Sequence, residues 1–337
     1  MTFAKSLTSL VLFLSLGTAS FFQPSLRAAV APPSGLRTIT NPVLSSGGDP
    51  WVTSHEGFFY YCAARGGGVS VGKSKELPDI GSNLKRVFKP EPNLAYSRDL
   101  WAPELHFFQG RWFIYVAADN GKNENHRMYV LRSKTKDAQG EYEMMGELDT
   151  GGFWAIDGHP FSWKGKLYFV WSGWEGKQNV AQNLYIAPMS NPWTVSGQRV
   201  AISKPELPWE LKGGRPLINE GPTSLIRDGR LFIVYSASGS WSNYYCLGRL
   251  DFKGGNILDP KNWKKQPEAA FLGTQQVIAP GHASFVNARN RDWIVYHSAR
   301  YPGAGWKRDV RMQPFTWKRD GSPYFGKPLP AGELMRY

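Results

Sequence analysis

Ile218-Asn219-Glu220-Gly221-Pro222-Thr223-Ser224-Leu225-Ile226-Arg227-Asp228-Gly229-Arg230-Leu231-Phe232-Ile233-Val234-Tyr235 carries the pattern on which the fold turns. Its last part, residues 231–235, is an unbroken apolar run of leucine followed by β-branched and aromatic residues. That composition favours a strand, and the lack of polar alternation marks one covered on both faces. Asp228-Gly229 ahead of it reads as a turn, so the run is the second strand of a hairpin. Its first part sets a carboxylate, Glu220, before a glycine and a proline among apolar neighbours. A strand seldom begins that way.

The same arrangement recurs through the chain. Glu56-Gly57 precedes Phe58-Phe59-Tyr60-Tyr61, and Gln109-Gly110 precedes Arg111-Trp112-Phe113-Ile114-Tyr115. Lys164-Gly165 precedes the run 166–171, and Asn290-Arg291-Asp292 precedes Trp293-Ile294-Val295-Tyr296 without a glycine. The turns return every fifty to sixty-five residues or so, a period that suits propeller blades with loop insertions. Small residues close several runs (Ala63-Ala64, Ala117-Ala118, Ser172-Gly173, Ser236-Ala237, Ser298-Ala299), as at strand ends in a crowded place. Further strands follow at residues 128–131, 183–187 and 245–250. Stacked four-stranded sheets bury both faces of each blade. The expectation is an all-β, five-bladed β-propeller. Its last outer strand comes either from the residues before Asn41 or from the tail after Trp317.

Composition agrees. Trp 14, Tyr 15 and Phe 19 with Gly 36 and Pro 24 suit short strands and tight turns, and amphipathic helical windows are scarce. The net charge of +13 is spread among mixed acids and bases. With no dense Lys/Arg footprint, it gives no ground for nucleic-acid binding. Cys62 and Cys246, two in 337 residues, make no disulfide framework and are expected as buried thiols. The N-terminus reads as an export signal over residues 1–31. Lys5 supplies its charge, residues 7–16 its apolar core and Ala29-Val30-Ala31 its cleavage site. Residues 32–337 then form a single propeller domain, secreted or periplasmic. No other stretch is apolar enough to span a membrane after signal cleavage.

Counting back about eight residues from each turn gives Asp49, Ala102, Asp157 and His282, and counting nine in the fourth blade gives Glu220. Innermost strands line a propeller's channel, so these positions are expected to converge at one mouth. Carboxylates gathered there repel, and at least one pKa must rise. A raised acid beside an ionised partner is what glycosidic bond cleavage needs: one group protonates the departing oxygen while the other activates water. Asp99 and Glu104 fall outside this register and are expected to be structural.

At these positions the sequence resembles glycoside hydrolase family 43, the arabinanase, α-L-arabinofuranosidase and β-xylosidase group. The carriers are Gly48-Asp49-Pro50, Trp101-Ala102-Pro103-Glu104, Ile156-Asp157-Gly158, Asn219-Glu220-Gly221-Pro222 and Gly281-His282, over the chain from about Asn41 onward. Residues 115–119 and 171–176 look most like the exo-acting α-L-arabinofuranosidases. The resemblance implies an inverting mechanism with Asp49 as general base, Glu220 as general acid and Asp157 tuning and orienting Glu220. An inverting pair is expected to stand roughly 6.5–9.5 Å apart. His282 resembles the family's axial histidine, either beside a calcium ion or as a plain hydrogen-bonding channel residue.

For substrate binding, Trp101 is expected to offer its face to a sugar or to pack between blades. Phe153, Trp174 and His159 are further pocket candidates, and His159 stands where relatives often carry a small or hydroxylated residue. Arg311 either reaches the channel or stays a surface cation. The implied function is release of L-arabinose from arabinan or arabino-oligosaccharides of plant cell walls. Endo-arabinanase and β-xylosidase stand as alternatives of the same chemistry, and a non-catalytic carbohydrate-binding propeller as one of another class.

Overall fold

The structure, a computed structural model, describes residues 37–337 and Met1; the expected export signal otherwise lies outside the described residues. Every element described below belongs to the compact unit Ser34–Tyr337. The first blade is built from Trp51–His55, Phe58–Arg65, Gly68–Ser74 and Lys85–Phe88, each antiparallel to the next. The second holds Arg98–Phe108, Arg111–Asp119, Arg127–Ser133 and Tyr142–Glu147. The third holds Ala155–Trp163, Lys166–Trp174 and Ala181–Asn191, edged by Val200–Ser203 and the short Thr194–Val195. The fourth holds Leu217–Arg227, Arg230–Ala237, Cys246–Phe252 and Trp263–Lys265, and the fifth Ile278–Ala288, Arg291–Ala299, Arg308–Trp317 and Pro323–Tyr324. The first strand of each blade touches the first strands of both neighbouring blades, so five blades close into a ring. The fold is the expected five-bladed β-propeller.

The turns explain why the pattern was legible. At Glu56-Gly57, Gln109-Gly110, Lys164-Gly165 and Asp228-Gly229 both central residues have positive φ, for example 48° and 71° at Asp228-Gly229. Such turns match the twist of the strands they join. In the fifth blade the turn sits one residue earlier than expected, on Arg289 (φ 50°) and Asn290 (φ 59°), and Arg291 already pairs with Ala288. Asparagine tolerates the left-handed region through its short polar side chain, which replaces the missing glycine.

The second strands are buried on both faces because each blade packs against two others. Five apolar clusters fill the five gaps between blades. Ile233, Ile114 and Ile294 are fully enclosed within them, each contributing on the order of 1.5–3 kcal/mol by burial. Cys62 and Cys246 are buried free thiols.

The segment around residues 38–41 and the tail seal the ring. The tail supplies the fifth blade's outer strand, Pro323–Tyr324, and then runs back so that Met335–Arg336 pairs with Thr38–Ile39. The Asn41 carboxamide donates to the Met312 carbonyl and accepts the Met312 N–H, both at 2.9 Å. Ile39, Met335 and Tyr337 join Val52, Tyr61, Trp293 and Met312 in the cluster between the fifth and first blades.

Candidate active site

The innermost strands are broken at equivalent places. Trp101 pairs with Ala117, Ile156 with Ser172, Glu220 with Ser236 and Gly281 with His297; after each pair the register slips and resumes at Glu104, His159, Thr223 and Ser284. The first residue of each break has positive φ: Ala102 (41°), Asp157 (55°), Gly221 (55°) and His282 (49°). Asp49 (50°) takes the same conformation just ahead of the first blade's inner strand. Bulges of this kind re-aim side chains and gather next to active sites.

This register corrects the count along the sequence. The fourth blade's equivalent of Asp49, Asp157 and His282 is Gly221, and Glu220 stands one residue before it. The count of nine, where the others gave eight, was the signal. Gly221 suits the place: besides its positive φ, a Cβ would lie 3.1 Å from the His282 ring and press on it. Its N–H donates to Asp157 Oδ2 at 3.0 Å. Asp157 is thereby pinned to the residue beside Glu220, and Gly221 in turn lies against His282, whose Nδ1 is 3.2 Å from Asp49 Oδ1. Contacts through Gly221 and His282 thus link the neighbourhoods of Asp49, Asp157 and Glu220, at one end of the inner strands.

The three carboxyls receive different treatment. Arg308 donates from its guanidinium to Asp49 Oδ1 at 2.8 Å. The Asp49 backbone N–H donates to His297 Nδ1 at 3.0 Å, so that nitrogen is an acceptor and the ring is neutral; burial pushes its pKa down to about 3. Burial alone pushes the Asp49 carboxyl up, but Arg308 and the two imidazoles outweigh it and hold the group well below the usual carboxylate range. Its side chain keeps 27% exposure, enough to meet a water. Glu220 is buried and raised to about 7, by burial first and by the charge on Asp49. The Tyr245 hydroxyl donates to Glu220 Oε1 at 2.8 Å and pulls the other way. Asp157 is raised well above its ordinary value by burial, then by Glu220 and Asp49. Two buried carboxyls beside an ionised third do not both ionise near neutrality.

Two residues along from the bulge, Trp51, Glu104, His159, Thr223 and Ser284 form a second tier. Its members tie blade to blade: Ser284 Oγ donates to the Pro50 carbonyl at 2.9 Å and Thr223 Oγ1 to the Ala283 carbonyl at 2.8 Å. His159 belongs here, with Nδ1 2.8 Å from Glu104 Oε2 and Nε2 2.8 Å from Ser224 Oγ. His106 Nε2 lies 2.9 Å from the same Glu104 oxygen. Glu104, His106 and His159 thus form a group with the donors to hold a metal ion. Burial, followed by the charge on Asp157, pushes Glu104 well up, and burial pushes His159 down to about 3.

The other sequence candidates are placed as follows. Trp101 is 38% exposed and stacks on His126 at 3.9 Å. It lines a cavity of ≈ 170 Å³ with Asp49, Leu100, Ala102, Trp306 and Arg308. Trp174 is buried against Trp154, ring centroids 4.8 Å apart, within an interblade cluster. Phe153 lies under the Arg199 guanidinium at 3.8 Å and is not part of that cavity lining. Arg311 is neither a channel group nor a surface cation: its buried guanidinium holds both oxygens of Asp309 and the Leu329 carbonyl. The arginine that reaches Asp49 is Arg308, three residues earlier, at the mouth end of its strand. Arg308, His297 and Tyr245 were missed from sequence. A histidine closing the apolar run 293–296 was the one visible signal.

The sequence profile described as "Glycosyl hydrolases family 43" matches residues 39–323. An extracellular exo-alpha-(1->5)-L-arabinofuranosidase of Streptomyces chartreusis is 32% identical over 275 residues, covering 77% of this chain and 82% of that protein. A protein of the same name from Streptomyces avermitilis is 30% identical over 322 residues, covering 90% of this chain and 66% of that one. Among solved structures, an alpha-L-arabinofuranosidase from Lactobacillus brevis superposes with a TM-score of 0.81 at 32% identity, covering 87% of this chain and 98% of that one.

Proposed function

The chain belongs to glycosyl hydrolases family 43, and from that membership we propose that it is an exported exo-acting α-L-arabinofuranosidase releasing L-arabinose from arabinan or arabino-oligosaccharides of plant cell walls. The names of its relatives support the arabinoside, the exo action and a place outside the cell; the export signal proposed for residues 1–31 would bring it there. The observation that carries the chemistry is the unequal handling of Asp49 and Glu220: one bound by Arg308 at 2.8 Å, the other buried under a tyrosine hydroxyl.

In the proposed reaction a water, deprotonated by Asp49, attacks the anomeric carbon. Glu220 gives its proton to the glycosidic oxygen as the C–O bond breaks, and arabinose leaves with inverted configuration. Arg308 keeps Asp49 ionised far into acid. Asp157, held by the Gly221 N–H, orients the segment that carries Glu220, and burial with the charge on Asp49 keeps a proton on the acid. Trp101 offers its exposed face to the sugar beside Asp49. Phe153, Trp174 and Arg311, being engaged elsewhere, have no part in this reading, and His159 acts one tier below.

Of the two readings of His282, a calcium ion beside it fits this donor set less well than a plain hydrogen-bonding role. Calcium takes six to eight oxygen ligands, and the carboxylate oxygen next to His282 already carries the Arg308 guanidinium. A second cation there meets like charge, and the proposed chemistry runs without one.

Aryl α-L-arabinofuranosides, aryl β-xylosides and linear arabinan test the proposal, with products resolved by length and anomeric form. Arabinose alone, released from chain ends with inversion, is the expected result. Xylose release, or oligomers cut from within arabinan, would move the assignment to the β-xylosidase or endo-arabinanase alternative. Retention would overturn the mechanism.

A further inference from the structure

The geometry points to a divalent transition-metal site, zinc by its donor type, formed by Glu104, His106 and His159 within the channel beneath the carboxylate mouth. It lies apart from the catalytic reading and does not depend on it. A carboxylate oxygen and two imidazole nitrogens, from the innermost strands of two blades, lie within 4.8 Å of one another. Tetrahedral zinc at ordinary bond lengths needs its ligand atoms roughly 3.3 Å apart. The Glu104 oxygen lies 2.9 Å from His106 Nε2 and 2.8 Å from His159 Nδ1, so these two pairs need to open by a few tenths of an ångström, while the two imidazole nitrogens, within 4.8 Å of each other, turn toward a shared ion.

The orientation of His159 supports a ligand role. Its Nε2 is 2.8 Å from Ser224 Oγ, on the innermost strand of a third blade. When that nitrogen carries the proton and donates to the hydroxyl, the Nδ1 lone pair points at Glu104. Such an outer hydrogen bond fixes the tautomer of a metal-bound histidine. The Trp51 ring closes over both imidazoles, with centroids 4.6 Å from His106 and 5.3 Å from His159. His106 keeps 12% side-chain exposure, which leaves a side for a fourth, water ligand.

Charge supports the same conclusion. The cluster at the mouth also joins a carboxylate to two histidines, and there Arg308 supplies the positive charge. Among the described residues the ion-pair partners of Glu104 are His106 and His159 only. A divalent ion would fill the place that the guanidinium fills above. Two histidines and one carboxylate suit zinc and its neighbours in the first transition row, whereas calcium and magnesium want oxygen.

The full chain, freed of metal by chelator dialysis, is titrated with zinc chloride by calorimetry, and bound metal is counted by elemental analysis. One zinc per chain and a higher thermal midpoint are expected. Glu104→Gln and His159→Gln should each weaken binding by more than about 100-fold, and Ser224→Ala by about 10-fold or more. His282→Gln should bind as the parent does. Loading the parent with cobalt(II) avoids reliance on variants that fail to fold. Four-coordinate visible bands and two hyperfine-shifted imidazole N–H resonances are expected. No stoichiometric zinc, a cobalt spectrum of the free aquo ion, or loss of the metal in His282→Gln but not in Glu104→Gln would each overturn the site.

Discussion

Two clusters of one carboxylate and two histidines lie in the same channel, and they behave as opposites. At the mouth Asp49 meets His282, His297 and Arg308 and is held well below the usual carboxylate range. One tier down Glu104 meets His106 and His159 and is driven well above it, by burial and by the charge on Asp157. Imidazoles lie beside both carboxyls, and at the mouth they help to lower Asp49. The guanidinium is what the mouth alone has, and it is the largest of the influences that oppose burial there. A water-activating base needs its charge, and a metal ligand takes its cation from outside.

Removing the mouth's own carboxylate breaks the comparison most severely. Asp49→Ala should cut kcat on every substrate by about 100- to 10,000-fold, because water loses its base. Glu220→Ala should lose as much on arabinan but far less on aryl glycosides, whose leaving groups need no proton; steady-state kinetics on both substrates check the split. Mild, equal losses in the two variants would contradict the roles given to them.

Arg308→Met tests the decisive charge. With the guanidinium gone, burial is opposed by the imidazoles alone and the Asp49 pKa rises, so the acid limb of kcat/KM moves to higher pH. An acid limb left in place would mean that the imidazoles, not Arg308, set the ionisation. A smaller effect is expected at Tyr245→Phe. The hydroxyl bond lowers the Glu220 pKa, so its loss should carry the basic limb upward from about 7, by about one unit.

The smallest expected change is in stability at the lower tier. A carboxyl raised on folding favours the native state fully below its unfolded pKa, and that contribution is lost as pH rises toward the folded value. Without added metal, Glu104→Gln should therefore lose less stability than the parent between pH 5 and 8. Urea unfolding at the two pH values measures it.

How much of this was legible varies with the range of the cause. The hairpin turns were, because positive φ at Asp228-Gly229 and its counterparts is a local demand with a local residue signature. The bulge was half legible. Its spacing pointed to Asp49, Asp157 and His282, yet the extra residue at Glu220 was visible only as a count of nine, since a bulge is a pairing defect and needs its partner strand. Arg308 and Arg311 stand three residues apart on one strand and so point to opposite faces, but which face meets the site is not written locally: Asp309 lies beside Arg311, and Asp49, 259 residues away, beside Arg308. His159 likewise looked like a pocket residue until Glu104, 55 residues distant, claimed its ring.

The sequence by itself determined the number of blades, the strands that line the axis and the presence of acids at their starts, because turns, burial on both faces and repeat length are written in neighbouring residues. Only the tertiary structure decided which acid is charged, which histidine meets which carboxyl and how the tail and the segment at residues 38–41 seal the ring. Those outcomes depend on desolvation and on charges contributed by other blades, and such through-space energies leave no trace in the order of residues along one strand.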